Sequence, residues 1–205
     1  MIRYLNFLLA IFILIPIKAI ALIEVDITRG NLNPLPIAVS PLSIDNESNK
    51  NLKNLLKKTN IGSEISKIVE NNLKTSGLFN PLNKDAFLQK PDIAHLKPRF
   101  EDWALIKAQA LITGKVTYQD QKLRVEFRLW DVLAAKEIMA LAFTTVPANW
   151  RRVGHIITDK VYERLTGEKG YFDTRIIYVA EKGPKIKRIK KLAIMDQDGF
   201  NTKYL

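Results

Sequence analysis

Apolar and polar side chains alternate along Leu22-Ile23-Glu24-Val25-Asp26-Ile27-Thr28-Arg29-Gly30, a strand-like run that Asn33-Pro34-Leu35-Pro36 separates from the next element. Ile37 to Leu42 is a short apolar stretch with Pro41 near its end, the pattern of a buried strand. Ser43 to Asn60 is polar and rich in Asn and Lys, and predicts a surface loop with a helical start. At Ile61 the spacing becomes helical: Ile61, Ile65, Ile68, Val69 and Leu73 share one face, Lys67, Glu70 and Lys74 the other, and Gly77 sits where a helix would stop. Leu78 to Leu82 leads into a turn. A shorter amphipathic piece with Phe100, Trp103, Ala104 and Lys107 follows Pro98, its aromatic pair suited to a core.

From Ala110 the period falls to two. Ala110 to Thr117 predicts one strand, Gln119-Asp120-Gln121 a turn, and Leu123, Val125, Phe127 and Leu129 alternate with charged residues in a second strand. Ala134-Ala135 turns the chain into Ile138 to Val146, completing an antiparallel meander. Asn149 is placed to cap a third helix, in which Trp150, Val153, Ile157, Val161 and Leu165 recur every three or four residues before Gly167. Thr174 to Lys182, Ile186 to Asp196 and Asn201 to Leu205 then read as three further strands, separated by Gly183-Pro184 and Gln197-Asp198-Gly199. The predicted fold is α/β: a two-layer domain over 36–170 with helices on one face of a mixed sheet, followed by a small antiparallel sheet over 171–205.

The first 21 residues belong to none of this. Arg3 opens a basic end, Phe7 to Ile17 is continuously apolar, and Ala19-Ile20-Ala21 has the small-x-small pattern of a signal-peptidase site. A bilayer span needs about 20 apolar residues, and Lys18 cuts this run short, so residues 1–21 read as a signal peptide cleaved near Ala21. The mature chain then starts with a tail, 22–35.

Composition narrows the chemistry. With no cysteine among 205 residues, an exported fold relies on packing rather than disulfides. The formal net charge is +11; Arg3 and Lys18 of the leader account for two of these, leaving +9. That balance admits nucleic acid, anionic lipid or an acidic partner, and export argues against nucleic acid. Lys182, Lys185, Lys187, Arg188, Lys190 and Lys191 form the one dense basic cluster.

Sites of chemistry are sparse. Asp196-Gln197-Asp198-Gly199 has the start of a calcium loop, but no acidic residue comes after it to supply the distal bidentate ligand, so a hairpin turn is expected. His95 and His155 are the only histidines. Neither has a Ser, Cys or paired carboxylate nearby in sequence, and His155 reads as a structural imidazole bonded to a backbone group. Gly114 and Gly183 stand alone, without a phosphate loop or dinucleotide fingerprint. No catalytic residue, cofactor or metal is expected.

Several segments together resemble the TolB family, the periplasmic component of the Tol-Pal envelope system: "PIAVSPL" (36–42), "LKTSGLFNPL" (73–82), "ITGKV" (112–116), "RLWDV" (128–132) and "WRRVGHIITDKVYERLTGEKGYFDTRIIYV" (150–179). Their order and spacing match the family's N-terminal domain across essentially the whole mature chain. The resemblance implies an α/β domain leading into a six-bladed β-propeller, here an incomplete first blade. It implies a non-catalytic role in outer-membrane integrity and in envelope invagination during cell division. The family binds TolA through the mature N-terminal tail, which points to Leu22, Ile23, Glu24, Val25, Asp26 and Ile27. Their alternation suits strand addition to a partner's sheet edge. The mature end begins two residues earlier than in the family, so the binding register is open. The family's binding of the lipoprotein Pal rests mainly on the propeller and is not expected of about three strands of one blade. Two other readings stand beside this one: a remnant of a split gene, and a basic envelope-surface binder acting through Lys182 to Lys191.

Overall fold

The computed structural model describes residues 33–58 and 60–205, so the leader and residues 22–32 lie outside the described residues. The first strand, β1 (Leu35–Val39), lies between two parallel neighbours, β3 (Phe79–Pro81) and β4 (Ala110–Gln119). Antiparallel β5 (Lys122–Asp131) and β6 (Lys136–Thr145) extend the sheet in the order β3-β1-β4-β5-β6, and the two-residue β2 (Ser43–Ile44) pairs with β4 farther along. A mixed sheet of this kind needs crossover connections for its parallel pairs. Here they are α1 (Asn46–Leu56) and α2 (Ile61–Thr75) after β1, and two short helices, α3 (Pro91–Ala94) and α4 (Phe100–Leu105), after β3.

Three details depart from the pattern of apolar residues. The polar stretch expected as a loop with a helical start is helical over the eleven residues of α1, started by Asp45, whose carboxylate accepts from the Ser48 N–H at 2.8 Å. Leu52 is the one fully buried apolar residue of this helix, which is why its periodicity is faint; Ser48 ties it to the sheet by accepting from the Tyr118 N–H. The segment Leu78–Leu82 contributes strand β3, not merely a turn, because the Leu35 N–H bonds the Leu78 carbonyl and the Leu82 N–H bonds the Ile37 carbonyl. Asn149 does not cap through its side chain: a 3₁₀ turn over Pro147–Asn149 leads into α5 (Trp150–Thr166), and the Asn149 amide donates back to Thr145 Oγ1.

The predicted turn between β4 and β5 is a two-residue hairpin, with Asp120 and Gln121 both at positive φ. This geometry matches strand twist, and Asp tolerates it well. Alternation along the strands then divides the residues between two faces. Ile37, Val39, Ile112, Val116, Leu123, Val125, Phe127 and Leu129 face α2 and α5 in one continuous core. Ala38, Leu111 and Val132 face the other way, where Trp103 and Ala94 of the short helices cover one end.

Close approaches hold the helices to the sheet and to each other. Ser66 Oγ lies 3.0 Å from the carbonyl oxygens of both Ser40 and Gly62, and it accepts from the Leu42 N–H at 3.0 Å. Gly62 is required beside it, since a Cβ there would stand 2.1 Å from the Leu42 carbonyl oxygen. At the crossing of α2 and α5, a Cβ on Gly154 would come within 2.9 Å of Ile68 Cγ2.

Beyond α5, strands β7 (Arg175–Lys182), β8 (Ile189–Asp196) and β9 (Lys203–Tyr204) form a separate antiparallel sheet. Residues Ile186 to Arg188, expected in the second of these strands, belong instead to the connection between β7 and β8. Within the second sheet only Ala193 is a fully buried apolar residue, while Ile177, Val179, Ile189 and Tyr204 are exposed.

Candidate functional site

Buried polar groups converge where the second sheet meets α2 and α5. The turn after β8, Asp196-Gln197-Asp198-Gly199, closes with the Gly199 N–H on the Asp196 carbonyl and Gly199 at φ 85°. Left-handed backbone suits glycine there, and the turn projects Gln197 and Asp198 toward the helices. As the sequence predicts, it is a hairpin turn.

Asp198 meets Arg151 of α5 in a short ion pair, with each side chain 16% exposed. The Arg151 guanidinium also stacks over Phe200, 4.2 Å from the ring centroid, which adds a cation–π contact. One turn further along α5, His155 Nε2 stands 3.6 Å from the same Asp198 carboxylate. That is too long for a hydrogen bond, and Nε2 is buried with no hydrogen-bond partner among the described residues. The other ring nitrogen, Nδ1, lies 2.9 Å from the Asn72 amide nitrogen. His155 is therefore held by a side chain of α2, not by the backbone group expected from sequence. With Asn72 donating, Nδ1 is the acceptor and the Nε2–H faces Asp198.

Asn72 is the hub of this network. Its amide nitrogen also reaches Thr158 Oγ1, and its oxygen accepts from the Gln197 side chain at 3.0 Å. One polar residue on the apolar face of α2 thereby joins α5 and the second sheet. The linker is fixed separately: Asp159 accepts from the backbone N–H groups of Phe172 and Asp173, while Asp173 pairs bidentately with Arg152 at 3.0–3.1 Å. That pairing raises the Arg152 pKa. Phe172 is buried against Tyr162.

Burial of the imidazole lowers the His155 pKa, with Asp198 opposing and Arg151 reinforcing the shift. His155, Asp196 and Asp198 place ligand atoms within 4.8 Å of one another, the one such group among the described residues. Arg151 already supplies positive charge to Asp198, however, so the arrangement suits an ion-paired joint better than a dication. An adjoining cleft of about 310 Å³, lined by Arg152, Asp173, Arg175, Asp196 and Asn201, mixes both signs of charge and favours no single class of ion.

The predicted partner-binding residues Leu22, Ile23, Glu24, Val25, Asp26 and Ile27 lie outside the described residues. His95 stands apart from the joint on α3's C-terminal end, its Nδ1 3.3 Å from the Pro91 carbonyl oxygen. The joint itself is not apparent from local sequence. Two signals bear on it: Arg151 and His155 are four apart on one helical face, and Asn72 interrupts an apolar one.

Comparison with known proteins agrees with this architecture. The chain matches the TolB amino-terminal domain family over residues 23–138. It is 81% identical over 201 residues to a Tol-Pal system protein TolB from Pelagibacter ubique, covering 98% of this chain and 45% of that relative. The chain thus spans less than half the length of that protein. A crystal structure of TolB from Acinetobacter baumannii superposes with a TM-score of 0.67 at 24% identity, over 83% of this chain and 38% of that one, a likeness of fold.

Proposed function

The chain belongs to the TolB family, and from that premise we propose that it is an exported, non-catalytic interaction protein of the Tol-Pal system. Its leader, residues 1–21, is removed near Ala21 in this reading, and it works in the periplasm. No helix among the described residues is long and apolar enough to cross a membrane. The mature tail, Leu22 to Ile27, binds a TolA-like inner-membrane partner by adding a strand to its sheet, with main-chain bonds giving affinity and the alternate apolar side chains filling pockets. Residues 36–170 form the domain that carries the tail, and 171–205 open the propeller. Through these contacts the protein contributes to outer-membrane integrity and to envelope invagination during division.

The family match from residue 23 onward is the observation that carries this reading. A structural fact is consistent with it: Leu35, the last residue of the 22–35 tail, already starts a strand paired on both sides and buried in the core. A partner holding the tail would therefore pull on the centre of the sheet rather than on a loose edge.

A pull-down tests it. The mature chain should recover a TolA-like partner, deletion of 22–30 should abolish recovery, and Val25→Asp should reduce it about tenfold by placing a charge in an apolar pocket. Equal recovery with and without the tail would overturn the assignment.

A further inference from the structure

The connection between β7 and β8 combines two chemistries that a merely solvated turn does not need together. Lys182, Lys185, Lys187, Arg188, Lys190 and Lys191 crowd this hairpin. The sole acid between 181 and 191 is Glu181, which pairs with Arg188 and with Lys190, the latter at 3.1 Å. Lys182, Lys185, Lys187 and Lys191 make no ion pair among the described residues. At the tip, between Lys185 and Lys187, stands Ile186 with 97% of its surface in water, and Ile189 beside it is 61% exposed. An open groove of about 760 Å³ lies along the hairpin, lined by Ala180, Ile189 and Tyr204 together with Glu181, Lys182, Lys187 and Lys191. Lys191 Nζ lies 5.7 Å from the Tyr204 ring centroid.

A polyanion in water would neutralise the lysines but leave Ile186 exposed. A bilayer surface answers both features, because its phosphates lie at the level of the cations while the acyl boundary beneath accepts an apolar tip. Long lysine side chains suit that border, with their methylene stems against apolar surface and their ammonium groups among headgroups. We infer that the β7–β8 hairpin docks on anionic phospholipid, with Ile186 inserted and Lys182, Lys185, Lys187 and Lys191 at headgroup level.

Co-sedimentation of the mature chain with vesicles tests this directly. Binding is expected to phosphatidylglycerol-containing phosphatidylcholine vesicles and not to pure phosphatidylcholine, and it should weaken in high salt. Lys187→Gln should weaken it about fivefold, the effect of one charge near such a surface. Ile186→Ser should weaken it about tenfold by removing the inserted apolar group. Both side chains are exposed and lie outside the two cores, so the variants should keep the parent's circular dichroism spectrum. Absence of binding to the anionic vesicles would overturn the inference. So would anionic binding that Ile186→Ser leaves intact, above all if dextran sulfate competes equally against parent and variant, since the hairpin would then be a polyanion surface. Deleting 22–30 should leave vesicle binding unchanged, so this result and the partner pull-down can fail independently.

Discussion

The two sheets of this protein are secured by different physics. The first, β3-β1-β4-β5-β6, shares a continuous apolar core with α2 and α5: Ile37, Ile65, Leu73, Val125, Leu129, Val161 and Leu165 are fully buried there. The second, β7-β8-β9, has one fully buried apolar side chain, Ala193, and meets the helices through Arg151–Asp198 and Gln197–Asn72. Apolar burial is summed over many residues and tolerates local loss, whereas a polar joint depends on a few directional contacts. A three-stranded sheet is also near the lower limit for independent stability. The second sheet should therefore open at lower free energy than the first.

The largest effect expected tests the core side of this contrast. Phe127 is 1% exposed and stacks on Phe143, so Phe127→Ala should cost about 3–5 kcal/mol. Leu192 in β8 is 47% exposed, and Leu192→Ala should change stability by less than about 0.5 kcal/mol. Chemical denaturation followed by the helical signal reads both. Similar losses from the two would show that the second sheet shares the main cooperative unit. Amide exchange sharpens the point, because residues 175–205 should exchange well before β4 and β5. Strong protection of 175–205 in a monomer would defeat the comparison.

Arg151→Ala should come next, at about 2 kcal/mol, felt mainly in docking of the second sheet. It strands Asp198 beside an imidazole that makes no hydrogen bond to it. The expected signature is faster exchange across 175–205 with β4 and β5 unchanged. A uniform loss over both sheets would place Arg151 in the main fold instead.

Much of the first sheet is legible in the sequence because its strands and long helices repeat over many residues. Phe127 and Leu129 mark an inward face, and Val153, Ile157 and Val161 mark a helix, without knowledge of any neighbour. Of helix α1 only a helical start is legible, because Leu52 is its one fully buried apolar residue, which leaves too weak a stripe to show its extent. Strand β3 escapes such a reading because three residues carry little period and its parallel pairing with β1 is a long-range fact. The joint is least legible of all. Asn72 and Gln197 are 125 residues apart, and the turn that presents Gln197 and Asp198 looks in sequence like any Asp-Gly hairpin. Polar contacts made across such distances leave no periodic trace.

The smallest effect expected is the response of that joint to pH. Its centre is His155, faced by Arg151 from its own helix, Asn72 from α2, Asp198 and Asp196 from the turn, and Asp173 from the linker. Burial and Arg151 disfavour the imidazolium, the acids favour it, and the net shift is downward from 6.5. A group with a lowered folded pKa takes up its proton more readily when undocked or unfolded. Its neutral form thus supports docking above about pH 6.5, and this support is lost as pH falls toward and through the lower folded value. Amide exchange over 175–205 should accelerate across that interval, after correction for the intrinsic pH dependence of exchange. His155→Gln, which cannot take the charge, should remove the acceleration. An NMR titration gives a separate check, placing the His155 midpoint below that of an unfolded reference peptide. A midpoint above the reference would show that Asp198 dominates, reverse the sign of the pH effect, and make acid strengthen the joint.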